Sequence, residues 1–185
     1  MWLFLFTELI LFGGLFLVYA VYRFVHQQEF HIAAQELNTT IGLINTIILL
    51  TSSMTAAMSI TAMQKGNVRF SIGLVVVTIM FAFAFMVNKY FEWSAKIHHG
   101  IYPGSKELLN KPDGEILYFG LYYVMTGLHA LHVIFGVTFF VFVLALMRTS
   151  TINPTSYVKL ENAALYWHLV DLIWIFLFPL FYLIH

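Results

Sequence analysis

Residues 166–185 read YWHLVDLIWIFLFPLFYLIH. A run of about 20 apolar residues is long enough to cross a bilayer as a helix. This one nonetheless carries His168 and Asp171 well inside it. Ionisable groups at the centre of a membrane helix cost about 2.5–3.5 kcal/mol each on insertion scales, so they face a bundle interior or a lined cavity rather than acyl chains. Their i, i+3 spacing predicts that the imidazole and the carboxyl satisfy each other as a self-contained polar pair.

The rest of the chain agrees with a membrane reading. Of 185 residues, 61% are hydrophobic and 10% charged, more apolar surface than a soluble core can absorb. Nine basic and nine acidic side chains cancel, which removes the electrostatic argument for a nucleic-acid partner. There is no cysteine, so disulfides, thiolate metal sites, iron–sulfur clusters and covalently attached haem are excluded. The first apolar run lacks a basic leader, carries Glu8 and continues into the bulky YAVYR of residues 19–23, so it reads as a retained helix rather than a signal peptide.

Five stretches are long enough to span: residues 2–22, 37–63, 70–97, 116–147 and 162–184. The third is apolar to Val87 and then continues as a wet extension through NKYFEW, residues 88–93. None shows period-two alternation, which argues against a β-barrel. The fold class expected is therefore an all-α membrane protein, a five-helix bundle forming one domain over residues 1–185. The connections at 23–36, 64–69, 94–115 and 149–161 are polar. Lys65 and Arg69 mark the second connection and Arg148 and Lys159 the fourth, which by the positive-inside rule puts the N-terminus inside and the C-terminus outside. The small-residue run TSSMTAAMSIT at 51–61 reads as a close-packing surface.

Six ionisable residues need a reason to be in the membrane: Glu8, His129, His132, Glu161, His168 and Asp171. Glu8 lies about 9 Å into its helix, at about 1.5 Å per residue. It reads either as a neutral carboxyl bonded to a neighbouring helix or as a proton- or lipid-linked group. His129 and His132 form an HxxH pair on one helix face, a weak metal signal without a third ligand. Glu161 and His168 are almost in line on the last helix, with Asp171 about 60° further round. Haem held between His129 or His132 and His168 stays open on sequence alone. A di-iron bundle does not fit, because no Glu-x-x-His occurs. No nucleophile–base triad and no phosphate-cradling glycine loop is visible.

Five segments resemble subunit III of the haem–copper terminal oxidases, in order along nearly the whole chain. They are FTELILFGGLF (6–16), INTIILLTSSMT (44–55), YFEWSAKIHHG (90–100), TGLHALHVIFG (126–136) and ENAALYWHLVDLIWIFLF (161–178). The common form of that family has seven helices; this chain resembles a short five-helix form that starts at the family's third. The resemblance implies a non-catalytic accessory subunit of a proton-pumping oxidase of aerobic respiration. It would stabilise subunit I, bind phospholipid and support proton uptake, with subunit II and other respiratory complexes as further partners. It implies no cofactor and no metal in this chain, haem and copper lying in the partner subunits. Electrons would come from cytochrome c or quinol, in a bacterial cytoplasmic membrane. Glu8 matches the family's membrane-buried, carbodiimide-reactive Glu. His129, His132, Glu161, His168 and Asp171 match its helix-spanning polar positions, with a structural and lipid-linked role. Two alternatives stand beside this reading: an accessory protein of nitric oxide reductase, and a stand-alone haem-binding membrane protein.

Overall fold

The computed structural model describes residues 2–149 and 151–184; Met1, Ser150 and His185 lie outside the described residues. Among the described residues seven helices follow one another: α1 (Trp2–Val25), α2 (Gln27–Gln35), α3 (Thr39–Gln64), α4 (Val68–His98), α5 (Lys106–Leu109), α6 (Asp113–Arg148) and α7 (Val158–Tyr182). Five of them, α1, α3, α4, α6 and α7, are long and apolar enough to cross a membrane. Among the described residues there is no strand, only an isolated bridge between Asn153 and Ser156. The chain is an all-α membrane protein.

Helix ends lie a few residues from the positions read from hydropathy, because capping rather than apolarity sets them. Asn38 precedes α3 and its side-chain oxygen accepts from the backbone N–H groups of Thr40 (3.0 Å) and Ile41 (3.3 Å). Just past the end of α3, Gly66 closes a left-handed turn with a φ of 79°. There Gly66 N–H donates to Met63 and Asn67 N–H to Ala62, so the last carbonyls are satisfied before α4 starts. Gly100 (φ 71°) ends α4 in the same way. The polar segments at 23–36 and 94–115 are not plain loops. The first contains α2, which buries Phe30, Ala33 and Ala34, and the second contains α5, capped by Ser105.

Contacts divide the chain into two compact units. The first comprises Met1–Ile44, Asn88–His129 and Ile173–His185. Its core is aromatic. Phe181 lies edge-on to Tyr19 (5.1 Å), Tyr118 (5.6 Å) and Tyr122 (5.5 Å), and Phe30 closes the cluster against Tyr19 and Tyr118. These rings also resolve a backbone problem. The last carbonyls of a helix have no partner within it, and Phe181 and Tyr182 are buried at the end of α7. The Tyr19 hydroxyl donates to the carbonyl of Leu180, Tyr118 to that of Phe181 (2.6 Å) and Thr39 to that of Tyr182 (3.4 Å).

The second unit comprises Asn45–Val87 and Ala130–Leu172. Here the small-residue run of α3 does more than permit close approach. Ser52 accepts from the Trp167 indole N–H (2.9 Å), Ser53 bonds His168 (2.5 Å) and Thr55 bonds Thr78 (2.8 Å). The Ser71 hydroxyl donates to the Ser59 carbonyl at 2.7 Å. Helix association in lipid rests on such packing and hydrogen bonds. Gly136 belongs to this fit. A Cβ there would stand 2.6 Å from a buried Trp167 ring carbon, whereas one at Gly120 would meet nothing within 4 Å. Gly136→Ala is therefore expected to destabilise the protein by about 1–3 kcal/mol. Gly120→Ala should leave thermal stability in detergent unchanged, and equal melting of the two variants would contradict this packing.

Candidate functional site

The main polar site of the first unit is built on the last turns of α4. Lys89, Glu92 and Lys96 recur at i, i+3 and i+7 and so share one helix face. Lys89 and Glu92 belong to the extension expected to be wet, and Lys96 to the polar connection expected after it. Instead the three are only 4%, 5% and 7% exposed. The reason is tertiary: Tyr122 of α6 and Tyr182 of α7 cover them with hydroxyls. Lys89 Nζ donates to Glu92 Oε2 (3.0 Å), to the Tyr122 hydroxyl (3.2 Å) and to the Tyr182 hydroxyl (2.9 Å). The two phenols in turn donate to Glu92 Oε1, at 2.8 and 2.5 Å. All three ammonium protons are thereby used, and the carboxylate takes three bonds. The ammonium also sits over the rings of Tyr122 and Trp174, 5.0 Å from each centroid. Such a closed circuit is what makes a buried ion pair tolerable.

A second layer of charge lies towards the α2 and α5 segments. Lys111 pairs with Glu36 (2.5 Å) and Glu115 (3.1 Å). Partial burial works against its charge, but the hydrogen bonds and attraction of the two carboxylates outweigh it and raise its pKa above the ordinary lysine value. Glu29 accepts from the Gly114 N–H at the start of α6 and pairs with His26 (3.3 Å). An acid at a helix N-terminus is favoured by the helix dipole.

The six residues singled out in the sequence fall in several places. Glu8 is half-buried on α1, in the first unit. His129 is fully buried in the same unit, its ring 5.1 Å from that of Trp174. In the second unit His132 is buried beside Phe135, and its carbonyl accepts from Tyr166 at 3.2 Å. Glu161 is half-buried in the first turn of α7. His168 and Asp171 do not form the expected pair. His168 Nδ1 is bonded to Ser53 of α3, and Asp171 is 3% exposed with both carboxyl oxygens buried and, among the described residues, without a hydrogen bond. The Ser53 hydroxyl is also near Asp171 but makes its bond to His168. An i, i+3 spacing brings two side chains near each other, but here α3 presents a better-placed hydroxyl to the imidazole. Among the described residues no group of three or more His, Cys, Asp or Glu is arranged to hold a metal.

The family model for cytochrome c oxidase subunit III matches residues 1–185. The chain belongs to that family. It is 32% identical to the cytochrome c oxidase subunit 3 of Corynebacterium diphtheriae, over 98% of this chain and 84% of that one. It is 26% identical to the probable quinol oxidase subunit 3 of Staphylococcus saprophyticus, over 99% and 86%. A haem–copper oxidase subunit I+III of Aeropyrum pernix is 31% identical over all of this chain, which spans 22% of that longer polypeptide. As a subunit III the chain is an integral membrane protein and an accessory subunit of a haem–copper oxidase.

Sequence reasoning passed over Lys89, Glu92, Lys96, Tyr122 and Tyr182. The signal was present as a Lys-x-x-Glu-x-x-x-Lys face continuing an apolar helix, and the i, i+3, i+7 spacing marks one stripe rather than a solvated end. Removing one member of a buried ion pair costs about 3–5 kcal/mol, while replacing both by apolar groups is often near neutral. Lys89→Met is thus expected to lower the thermal stability of the detergent-purified oxidase sharply, and Lys89→Met with Glu92→Leu to recover most of the loss. A double variant as unstable as the sum of the two single ones would show that the pair is not coupled.

Proposed function

We propose that this chain packs on subunit I of a proton-pumping oxygen-reducing oxidase, holds phospholipid and supports proton uptake, without catalytic residues of its own. The observation that carries the assignment of the neighbour is the Aeropyrum pernix relative, whose name joins subunits I and III in one polypeptide. Haem and copper would sit in the partner subunits, subunit II among them. The chain would lie in a bacterial cytoplasmic membrane as a single membrane domain, N-terminus inside and C-terminus outside. Glu8, His129, His132, Glu161, His168 and Asp171 are assigned structural, proton-linked or lipid-linked roles. The test is capture of the native complex through this chain in mild detergent, with a reduced-minus-oxidised spectrum and mass spectrometry of its partners. Haem bands that accompany a large multi-helix subunit, and leave when this chain is separated from it, are expected. Haem that stays on this chain alone would refute the reading.

Glu8 is the residue through which support of proton uptake would act, since it is a half-buried carboxyl on a helix whose neighbouring side chains are largely exposed and apolar. Glu8→Gln removes the titratable proton and keeps the shape. The complex is expected to assemble normally and to turn over more slowly at high pH, where proton supply limits. Turnover equal to that of the unaltered complex at every pH would remove Glu8 from the proton path.

A further inference from the structure

Beside the buried network, the first unit carries a cleft of about 550 Å³. Its walls include Ile41 and Phe91, and its polar groups include Glu36, Asn38, Lys96 and His99. Each carboxylate at its edge already has a lysine. Glu92 is paired with Lys89 at 3.0 Å and Glu36 with Lys111 at 2.5 Å. Lys96 is the cation outside these pairs: it feels the charges of Glu92 and Glu36 only at longer range and lies over the rings of Tyr122 (5.7 Å) and Phe119 (6.0 Å). Among the described residues it enters no salt bridge, and its one hydrogen bond is a long one, 3.3 Å, to the carbonyl of Glu36. It is 7% exposed and yet lines the cleft. A desolvated ammonium with protons to spare is an incomplete arrangement, and the group that completes it is an anion.

The other polar groups narrow the anion. The Asn38 oxygen is committed to the start of α3, which leaves its amide N–H₂ for an acceptor. His99 Nδ1 donates to the Ala95 carbonyl at 2.6 Å, which leaves Nε2 as an acceptor for a hydroxyl. Depth and walls narrow it further. Counting about 20 residues of hydrocarbon span from the start of the apolar stretch of α4 places Lys96 about 9 Å beyond the acyl boundary, at headgroup level. Tyr90 and Phe91, exposed on the same turns, suit that level.

We propose that this cleft binds the headgroup of one anionic phospholipid, with its phosphate on Lys96, a headgroup hydroxyl at His99 and the acyl chains leaving past Ile41 and Phe91. The inference rests on the lipid-holding part of the proposed function and gives it a place and a ligand class. Phosphatidylglycerol has the required phosphate and hydroxyls; phosphatidylcholine has a cation where the site offers none of the acids free.

The test uses the whole oxidase complex, stripped of lipid in detergent and re-exposed to mixed micelles of phosphatidylglycerol or of phosphatidylcholine. Lipid on the subunit released in the gas phase is counted by native mass spectrometry. The unaltered complex is expected to bring phosphatidylglycerol, not phosphatidylcholine, off on this subunit. Lys96→Met should weaken that retention about tenfold or more, the worth of a charge-assisted hydrogen bond, and Lys96→Arg should keep it. Should Lys96→Met fail to assemble, Ala95→Phe fills the cleft with its charges intact and should also expel the lipid. Equal retention by Lys96→Met, by Ala95→Phe, or of phosphatidylcholine overturns the site while leaving lipid holding by the subunit in place. Displacement of the lipid by excess inorganic phosphate alone shows a bare phosphate site and overturns it too. A subunit that releases no phospholipid at all fails the broader reading instead.

Discussion

Hydrocarbon offers no hydrogen bonds, so every polar group this chain carries into the membrane must find its partner inside the protein. The same demand on polar groups buried within the protein explains where the strongest interactions sit. Lys89 and Glu92 are enclosed together and satisfied by two phenols and by each other. The end of α7 is treated in the same way, with hydroxyls of Tyr19, Tyr118 and Thr39 supplied to carbonyls that no further turn can reach. In both places tyrosine serves because its ring packs as an apolar body while its hydroxyl reaches a partner.

The two units meet the constraint with different chemistry. The first uses aromatic rings with polar tips around a buried charge pair. The second uses short hydroxyls, with Ser52, Ser53 and Thr55 of α3 each bonded to a side chain elsewhere in that unit. Short hydroxyls allow helices to approach closely, which is why a bare Gly136 faces the Trp167 ring there. Both arrangements hold helices together.

Asp171 departs from the pattern: among the described residues its buried carboxyl accepts no hydrogen bond, although the Ser53 hydroxyl is near. Its neighbour on the helix, His168, is committed to Ser53. Side-chain spacing along one helix gave no means of foreseeing this, because the competitor comes from α3, more than a hundred residues away in sequence. Lys89 and Glu92 were missed for the opposite reason. Their segment is polar enough to look solvated, and only Tyr122 and Tyr182, brought over from α6 and α7, turn it into an interior.

The sequence by itself determined the membrane class, the five spans and the family. These follow from local quantities: runs of apolar residues match a bilayer's thickness, and short motifs keep their spacing along the chain. Only the tertiary structure decided who partners whom. It moved His168 from Asp171 to Ser53, buried the charged face of α4, and, among the described residues, left Lys96 outside its salt bridges, beside a cleft. Pairing depends on which helices lie side by side, and hydropathy, which is summed along a single helix, carries no record of that.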